Sequence, residues 1–251
     1  MTLPELTRTQ LLRYSRHVML PNFDLLGQER LLASKVLVIG MGGLGCAVAP
    51  YLVGSGVGKL TLVDDDVVDG HNLPRQTLYQ HDDIGVAKVD AAQQRLRSIN
   101  ADTDIITIAQ RADAELLLTL VQQHDVVVDC CDNLETRNAI NAACVKAEKP
   151  LVSGAAIRYE GQLSVFLNQH HGPCYQCFSL LFGEQQLSCM ESGILAPVVG
   201  VIGSMQAVET LKLIAQVGEP IAAQVLLYDG LHGDWQKFKL SRHPQCTLCN
   251  P

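Results

Sequence analysis

Several things are missing from this sequence. No block of five or more Lys or Arg occurs, and the net charge is −7, which argues against nucleic acid as a partner. No apolar run reaches about 18 residues, so no membrane span is expected. The opening stretch, MTLPELTRTQLLRYSRH, is polar and charged where a secretion signal would have an apolar core, and the cytoplasm is the expected location. Aromatic residues make up only 5%, but 47% of the 251 residues are hydrophobic, ample for a full core in one large domain or two small ones. The nine cysteines are an odd number in a chain with no export signal, which argues against a disulfide framework.

What is present begins with alternation. Helical patterns over 7–20 and 24–33 precede a strand over Lys35–Gly40, a small-residue helix over 43–56, and a strand over Lys59–Asp64. Then come a helix near 86–99, a strand over Asp104–Ile108, a helix over 113–123, a strand over Asp125–Cys130 and a helix over 135–148. Such alternation favours a parallel sheet with helices on both faces. The pattern then changes: strands over Leu151–Ala156, Gly161–Phe166, Ala222–Tyr228 and Trp235–Leu240 are interrupted by one long helix, about 197–216. The expected class is α/β, a Rossmann-like sheet that is parallel in its N-terminal part and continues into a mixed or antiparallel C-terminal part. The stretch 168–195 reads as a long irregular loop.

The segment VLVIGMGGLGCAVA carries Gly40-x-Gly42-x-x-Gly45, with Gly43 inside it, between strand and helix. The first glycine allows the tight turn, the second lets backbone N–H groups approach a phosphate, and the third lets helix and strand pack closely. Asp64 stands about 20 positions on, where an acidic residue reaches ribose hydroxyls. The turn alone does not separate NAD from ATP. Arg16, Arg75 and Lys88 tilt the balance, since a triphosphate uses cations that a pyrophosphate on a helix N-terminus does not need. A carboxylate able to hold Mg²⁺ points the same way. The rival readings are an NAD-dependent oxidoreductase and a non-catalytic docking scaffold.

Cys174-x-x-Cys177 and Cys246-x-x-Cys249 supply four thiolates in two CxxC pairs, the ligand set of one tetrahedral Zn²⁺. Four protein ligands leave no open position, so the site is expected to be structural, one zinc per chain, tying the C-terminal tail to the loop. Cys130 and Cys131 end a buried strand and read as packing. His170, His171 and His232 lack ligand spacing with the pairs and read as surface.

In order along the chain stand RYSRH (13–17), GMGGLG (40–45), VDDD (63–66), NLPRQ (72–76), AKVDAA (87–92), DCCDN (129–133) and the two CxxC pairs. Together they resemble the bacterial relatives of ubiquitin-activating enzymes, the HesA/MoeB/ThiF family. SGAAIRYEGQLSVF, CYQCFSLLFGE and APVVGVIGSMQAVETLKLI look closest to the branch that serves molybdopterin synthase, with the thiamine-pathway branch the near alternative.

The resemblance implies a single adenylation domain over 1–251: N-terminal helices over 1–34, a nucleotide-binding half over 35–150, and a carrier-binding, zinc-containing half over 151–251. It implies a reaction in which MgATP adenylates the C-terminal Gly-Gly carboxylate of a small ubiquitin-like sulfur carrier, releasing pyrophosphate, with sulfur-donating proteins acting downstream. It implies roles: Gly43 in the turn against the nucleotide, Asp64 on the ribose, Asn72, Arg75 and Lys88 on the phosphates, Asp132 on Mg²⁺ with Asn133 beside it. Arg16 matches an arginine that reaches the ATP of the opposite subunit in a homodimer. The family usually has Gln where Pro74 stands, which puts that residue's contact in question. Cys189 aligns with a cysteine that some members use covalently, although nothing near it in sequence lowers its pKa. The chain stops just past the second cysteine pair, so no rhodanese-like domain is expected.

Overall fold

The computed structural model describes residues 3–169, 172–181 and 193–250. Its helices are α1 (Arg8–Arg13), α2 (Ser15–Val18), α3 (Asp24–Ala33), α4 (Gly43–Gly54), α5 (Lys88–Ile99), α6 (Ala114–Gln122), α7 (Leu134–Lys146), α8 (Tyr175–Ser179) and α9 (Ala196–Ala215). Its strands are β1 (Lys35–Ile39), β2 (Lys59–Val63), β3 (Asp104–Ile108), β4 (Val126–Asp129), β5 (Leu151–Ile157), β6 (Glu160–Phe166), β7 (Gln224–Asp229) and β8 (Asp234–Lys239).

All eight strands form one sheet in the order β3-β2-β1-β4-β5-β6-β7-β8. The first five are parallel and the last three pair antiparallel. The sequence predicts this switch. β1, β2 and β4 are near-continuous runs of Val, Leu and Ile that are buried along almost their whole length, as strands covered by helices on both faces must be. β8 is an edge strand exposed along its whole length, with Lys237 and Lys239 on it. Charged edge residues of this kind discourage pairing with another chain.

The core divides at the sheet. One side is closed by α4, α5 and α9 around Val38, Leu52, Leu60 and Ile202; the other by α6 and α7 around Leu37, Leu117, Ile140 and Phe166. Helix α9 lies against α4, β5 and α3. It runs close to α4: a side chain on Gly203 would begin 2.6 Å from the Ala47 Cβ. By length and composition α9 passes the test for a membrane span, with a mean hydropathy of 1.4 over an 18-residue window. To that extent it corrects the reading that no stretch is long and apolar enough. Its apolarity is spent inside the fold, where half of that window is buried.

Two local expectations change. The helix over 7–20 breaks at Tyr14, because that ring is buried at 3% exposure and its hydroxyl accepts a hydrogen bond from Asn100 Nδ2 at 2.9 Å. A periodic pattern cannot show that a distant amide turns the chain. The stretch 168–195 also contains a short helix, α8, which begins at the first CxxC pair.

Candidate active site and cysteine cage

Where strand order reverses, between β1 and β4, the carboxyl ends Ile39 and Asp129 lie side by side. Chains leaving such a point diverge and open a crevice, the usual ligand site of an open α/β sheet. Here it is a cavity of about 1600 Å³. Gly40 has φ +92°, and any side chain there would begin 2.8 Å from the Cys130 carbonyl oxygen. At Gly45 a side chain would begin 2.2 Å from the Gly40 oxygen, so only glycine lets α4 sit this close to β1. Gly42 is the N-cap of α4 and offers no side-chain cap. The first amides of α4 are therefore left to face the cavity, an arrangement that binds anions.

The structure brings most of the expected residues to this one cavity. Gly40, Gly42, Gly43, Asp64, Asn72, Arg75, Lys88, Asp132 and Asn133 all line it, and Gly45 lies beneath the turn. Asp64 ends β2. Its Oδ2 accepts the Met41 N–H at 2.6 Å and its Oδ1 accepts the Asp66 N–H at 2.8 Å. Burial raises its pKa, partly offset by the Lys88 cation and these two amides. Asn72 is buried and its Oδ1 accepts a hydrogen bond from Arg75 Nη2 at 2.7 Å. Pro74 is exposed, and the turn does not need its missing N–H: the amides of Arg75 and Gln76 both reach the Asn72 oxygen. Lys88, at the start of α5, is buried at 4% exposure and pairs with Asp66 Oδ2 at 2.6 Å. Asp132 is exposed in the cavity. Asn133 is the N-cap of α7, with Oδ1 accepting the Thr136 N–H at 2.9 Å.

Arg16 does not belong to this cluster. It is exposed on α2, and the cavity of its own chain does not include it. Cys130 and Cys131 are buried packing residues whose thiol pKa values burial raises. His232 is exposed and pairs with Asp229. Cys189, His170 and His171 lie outside the described residues.

Sequence reading missed Asp66, Gln76, Asp129 and Arg137. Gln76 lines the cavity and its Oε1 is buried without a partner, an acceptor left open beside the glycine turn. Asp129 and Arg137 form a buried pair, Nη1 to Oδ2 at 3.7 Å, with Arg137 at the cavity floor and Asp129 beneath it. The turn, the uncapped helix start and the two cations suit the phosphates of a nucleoside triphosphate, and the open Gln76 acceptor suits a hydroxyl or amino donor.

The second site stands apart. The Sγ atoms of Cys174, Cys177, Cys246 and Cys249 all lie within 4.8 Å of one another. Three of the separations are 3.6 Å (Cys174–Cys246), 3.3 Å (Cys177–Cys249) and 3.5 Å (Cys249–Cys246). A disulfide would be about 2.05 Å, whereas zinc–sulfur bonds of about 2.3 Å give tetrahedral edges near 3.8 Å. The cage fits zinc. Asn141 Nδ2 donates to Cys174 Sγ at 3.6 Å and the His243 N–H to Cys177 Sγ at 3.3 Å, the kind of outer contacts that orient metal thiolates. Burial pushes the Cys174 thiol up to about 12. For Cys249 the hydrogen bonds from Cys177, Cys246 and Arg242 outweigh burial and bring it down to about 7. The eight described cysteines are all free of disulfides.

A family model, the ThiF family, matches residues 14–248. The chain belongs to the ThiF family. It is 46% identical to the molybdopterin-synthase adenylyltransferase of Salmonella typhimurium over 98% of both chains. It is 42% identical to the sulfur carrier protein ThiS adenylyltransferase of Escherichia coli, over 95% of this chain and 94% of that one. The solved structure of E. coli MccB with ATP superposes with a TM-score of 0.79 at 25% identity, covering 90% of this chain and 70% of the other. Membership of an ATP-using adenylyltransferase family removes the oxidoreductase reading of the glycine turn, and the fold agrees with the expected Rossmann-like sheet that turns antiparallel in its C-terminal part.

Proposed function

We propose that this protein is the adenylyltransferase of a molybdopterin-synthase sulfur carrier, working as one adenylation unit across the whole chain. It activates the C-terminal Gly-Gly carboxylate of a small ubiquitin-like protein with MgATP, giving an acyl-adenylate and pyrophosphate, and sulfur-donating proteins act on the product. The carrying observation is the gathering of Arg75, Lys88 and Asp132 in one cavity under an uncapped helix start, in a chain 46% identical to enzymes of that name.

The nucleophile is a carboxylate already ionised at neutral pH, so no general base is needed. The difficulty is bringing two anions together, and the site meets it by position and charge. The α4 amides and Arg75 and Lys88 receive the phosphates. Lys88 is held ready by Asp66. Asp64 holds the ribose while also fixing the Met41 amide of the turn. Asp132 would hold Mg²⁺, whose charge would screen the phosphates. Four thiolates hold the structural zinc.

The catalytic unit is a homodimer in the cytoplasm. Arg16 sits on α2 beside Leu12 and Met19, which are 72% and 73% exposed, with Leu20, Leu25 and Leu26 also exposed. A second copy covering this apolar patch would carry Arg16 to the neighbour's ATP.

Carrier-dependent ATP–pyrophosphate exchange tests the reading. Exchange with the Gly-Gly carrier of molybdopterin synthase, and much weaker exchange with the thiamine carrier, is the expected result. A preference for the thiamine carrier would move the protein to the sister branch, and no exchange with either would sink the proposal.

A further inference from the structure

The Cys131–Asp132 peptide is held from below by a buried ion pair. Asp129 is 1% exposed and Arg137 is 6% exposed. Asp129 Oδ1 accepts the Cys131 N–H at 3.0 Å, and Oδ2 accepts a hydrogen bond from Ser153 Oγ at 2.8 Å. Arg137 Nη2 donates to the Cys131 carbonyl, the oxygen of the peptide that leads into Asp132, and also to the Gly154 carbonyl at 2.7 Å. On the far side, Asn133 caps α7 and the Arg137 N–H donates to the Asn133 oxygen at 3.3 Å. The backbone around Asp132 is thus fixed before and after it. The Asp132 carboxylate, by contrast, is exposed to the cavity.

We infer that Arg137 is a positioning residue for adenylation: with Asp129 it clamps the turn that aims the Asp132 carboxylate at the metal-bound phosphates. The inference rests on the function proposed above and deepens it. Arg137 reaches the cavity lining but is only 6% exposed, and its charge is already engaged by protein groups. Its guanidinium is shared among two carbonyls and a buried carboxylate, and it also hydrogen-bonds the Tyr175 hydroxyl, whose pKa burial raises and the Arg137 charge partly lowers. A planar fork reaches two carbonyls at once, whereas a lysine ammonium on a flexible stem does not hold both in one plane. A guanidinium buried in this way also resists exchange for a neutral residue, because the Asp129 carboxylate would be left without its countercharge.

The test uses Arg137→Lys and the milder Ser153→Ala, which removes only the hydroxyl that fixes Asp129. Mn²⁺ serves as the probe. Its binding to the protein with a non-hydrolysable ATP analogue is followed by electron paramagnetic resonance, alongside the Mg²⁺ dependence of pyrophosphate exchange. Losing an outer-shell partner costs roughly 10–100-fold in metal affinity or activity. Arg137→Lys is expected to weaken Mn²⁺ binding by that factor and to raise the Mg²⁺ needed for half-maximal exchange in parallel, with the carrier KM little changed. Ser153→Ala is expected to shift both in the same direction by less, and it decides the matter if Arg137→Lys fails to fold. Mn²⁺ affinity unmoved in folded variants overturns the inference. So does a raised carrier KM at unchanged metal affinity, which would make Arg137 a substrate contact. If the unmodified protein shows no carrier-dependent exchange, the adenylation reading itself falls, and this role falls with it.

Discussion

The cavity and the cysteine cage are built by opposite means. In the cavity, charged groups are held by one partner and left free on another side: Lys88 leans on Asp66, Asp64 fixes Met41, and the start of α4 has no cap. In the cage every sulfur is within reach of the other three and nothing is left over. An open site keeps its valences for a substrate; a closed one spends them on shape. Both sites are anchored by the same helix. The first turn of α7 supplies Asn133 and Arg137 to the cavity floor, and Asn141, farther along it, donates to Cys174 and accepts the Tyr175 N–H at 3.0 Å.

The largest effects should come from breaking the open site. Arg16→Ala and Asp132→Ala homodimers are each expected to lose pyrophosphate exchange, on the order of 10³–10⁵-fold for a donated arginine and about 10²–10³-fold for an electrostatic contact to the reacting phosphates. Carrier docking and zinc content should be unchanged in both. Mixing the two under confirmed subunit exchange should restore activity, because one site of the heterodimer keeps Asp132 and receives an intact Arg16. Failure to recover activity would count against action across the interface.

The closed site should behave the other way. Purified protein is expected to hold about one zinc per chain. Cys246→Ser should lose it and lower Tm by about 2–4 °C for each 1 kcal/mol of stability that the metal contributes in a chain of this size. Exchange by the surviving folded protein, measured below that Tm, should change much less than in Asp132→Ala. Full zinc occupancy after two of the four cysteines are replaced would refute the assignment.

The smallest effect lies in neither site and sharpens the contrast between them. His124 is 3% exposed; Nδ1 can only donate to the Leu120 carbonyl at 2.6 Å, so Nε2 accepts from Thr61 Oγ1 at 2.8 Å. Burial lowers its pKa below the ordinary histidine value. The unfolded chain therefore binds a proton that the folded protein refuses. Stability should fall as pH drops below about 6.5, no more steeply than about 1.4 kcal/mol per pH unit for one proton. Urea unfolding of His124→Gln between neutral and mildly acidic pH should show a shallower slope. An equal slope would remove His124 as the cause.

How much of this was legible depended on range. The glycine turn, the strands and the two CxxC pairs carry their meaning in short spacing, and they are where the sequence places them: β3 runs over Asp104–Ile108 as read, and the cage gathers the four cysteines named. The break at Tyr14 depends on Asn100, 86 positions away, and the clamp on Asp132 depends on Asp129, Ser153 and Arg137 meeting across two strands and a helix. Nothing in local periodicity encodes such meetings. Asp66 lies between: it stands inside the quoted VDDD, but only the fold shows that it holds Lys88.

The cage also sets an order of events during synthesis. Its paired sulfurs, Cys174 with Cys246 and Cys177 with Cys249, are 72 positions apart, and α9, β7 and β8 all lie between them. At the ribosome, where chains grow by about 5–20 residues per second, the first two cysteines wait several seconds as a half-complete ligand set. Zinc captured then has only two thiolates. The full set exists only after the last antiparallel strand has emerged, so four-fold ligation reports that the sheet is present to its outer edge, and a chain that stalls before Cys246 has no means of closing it.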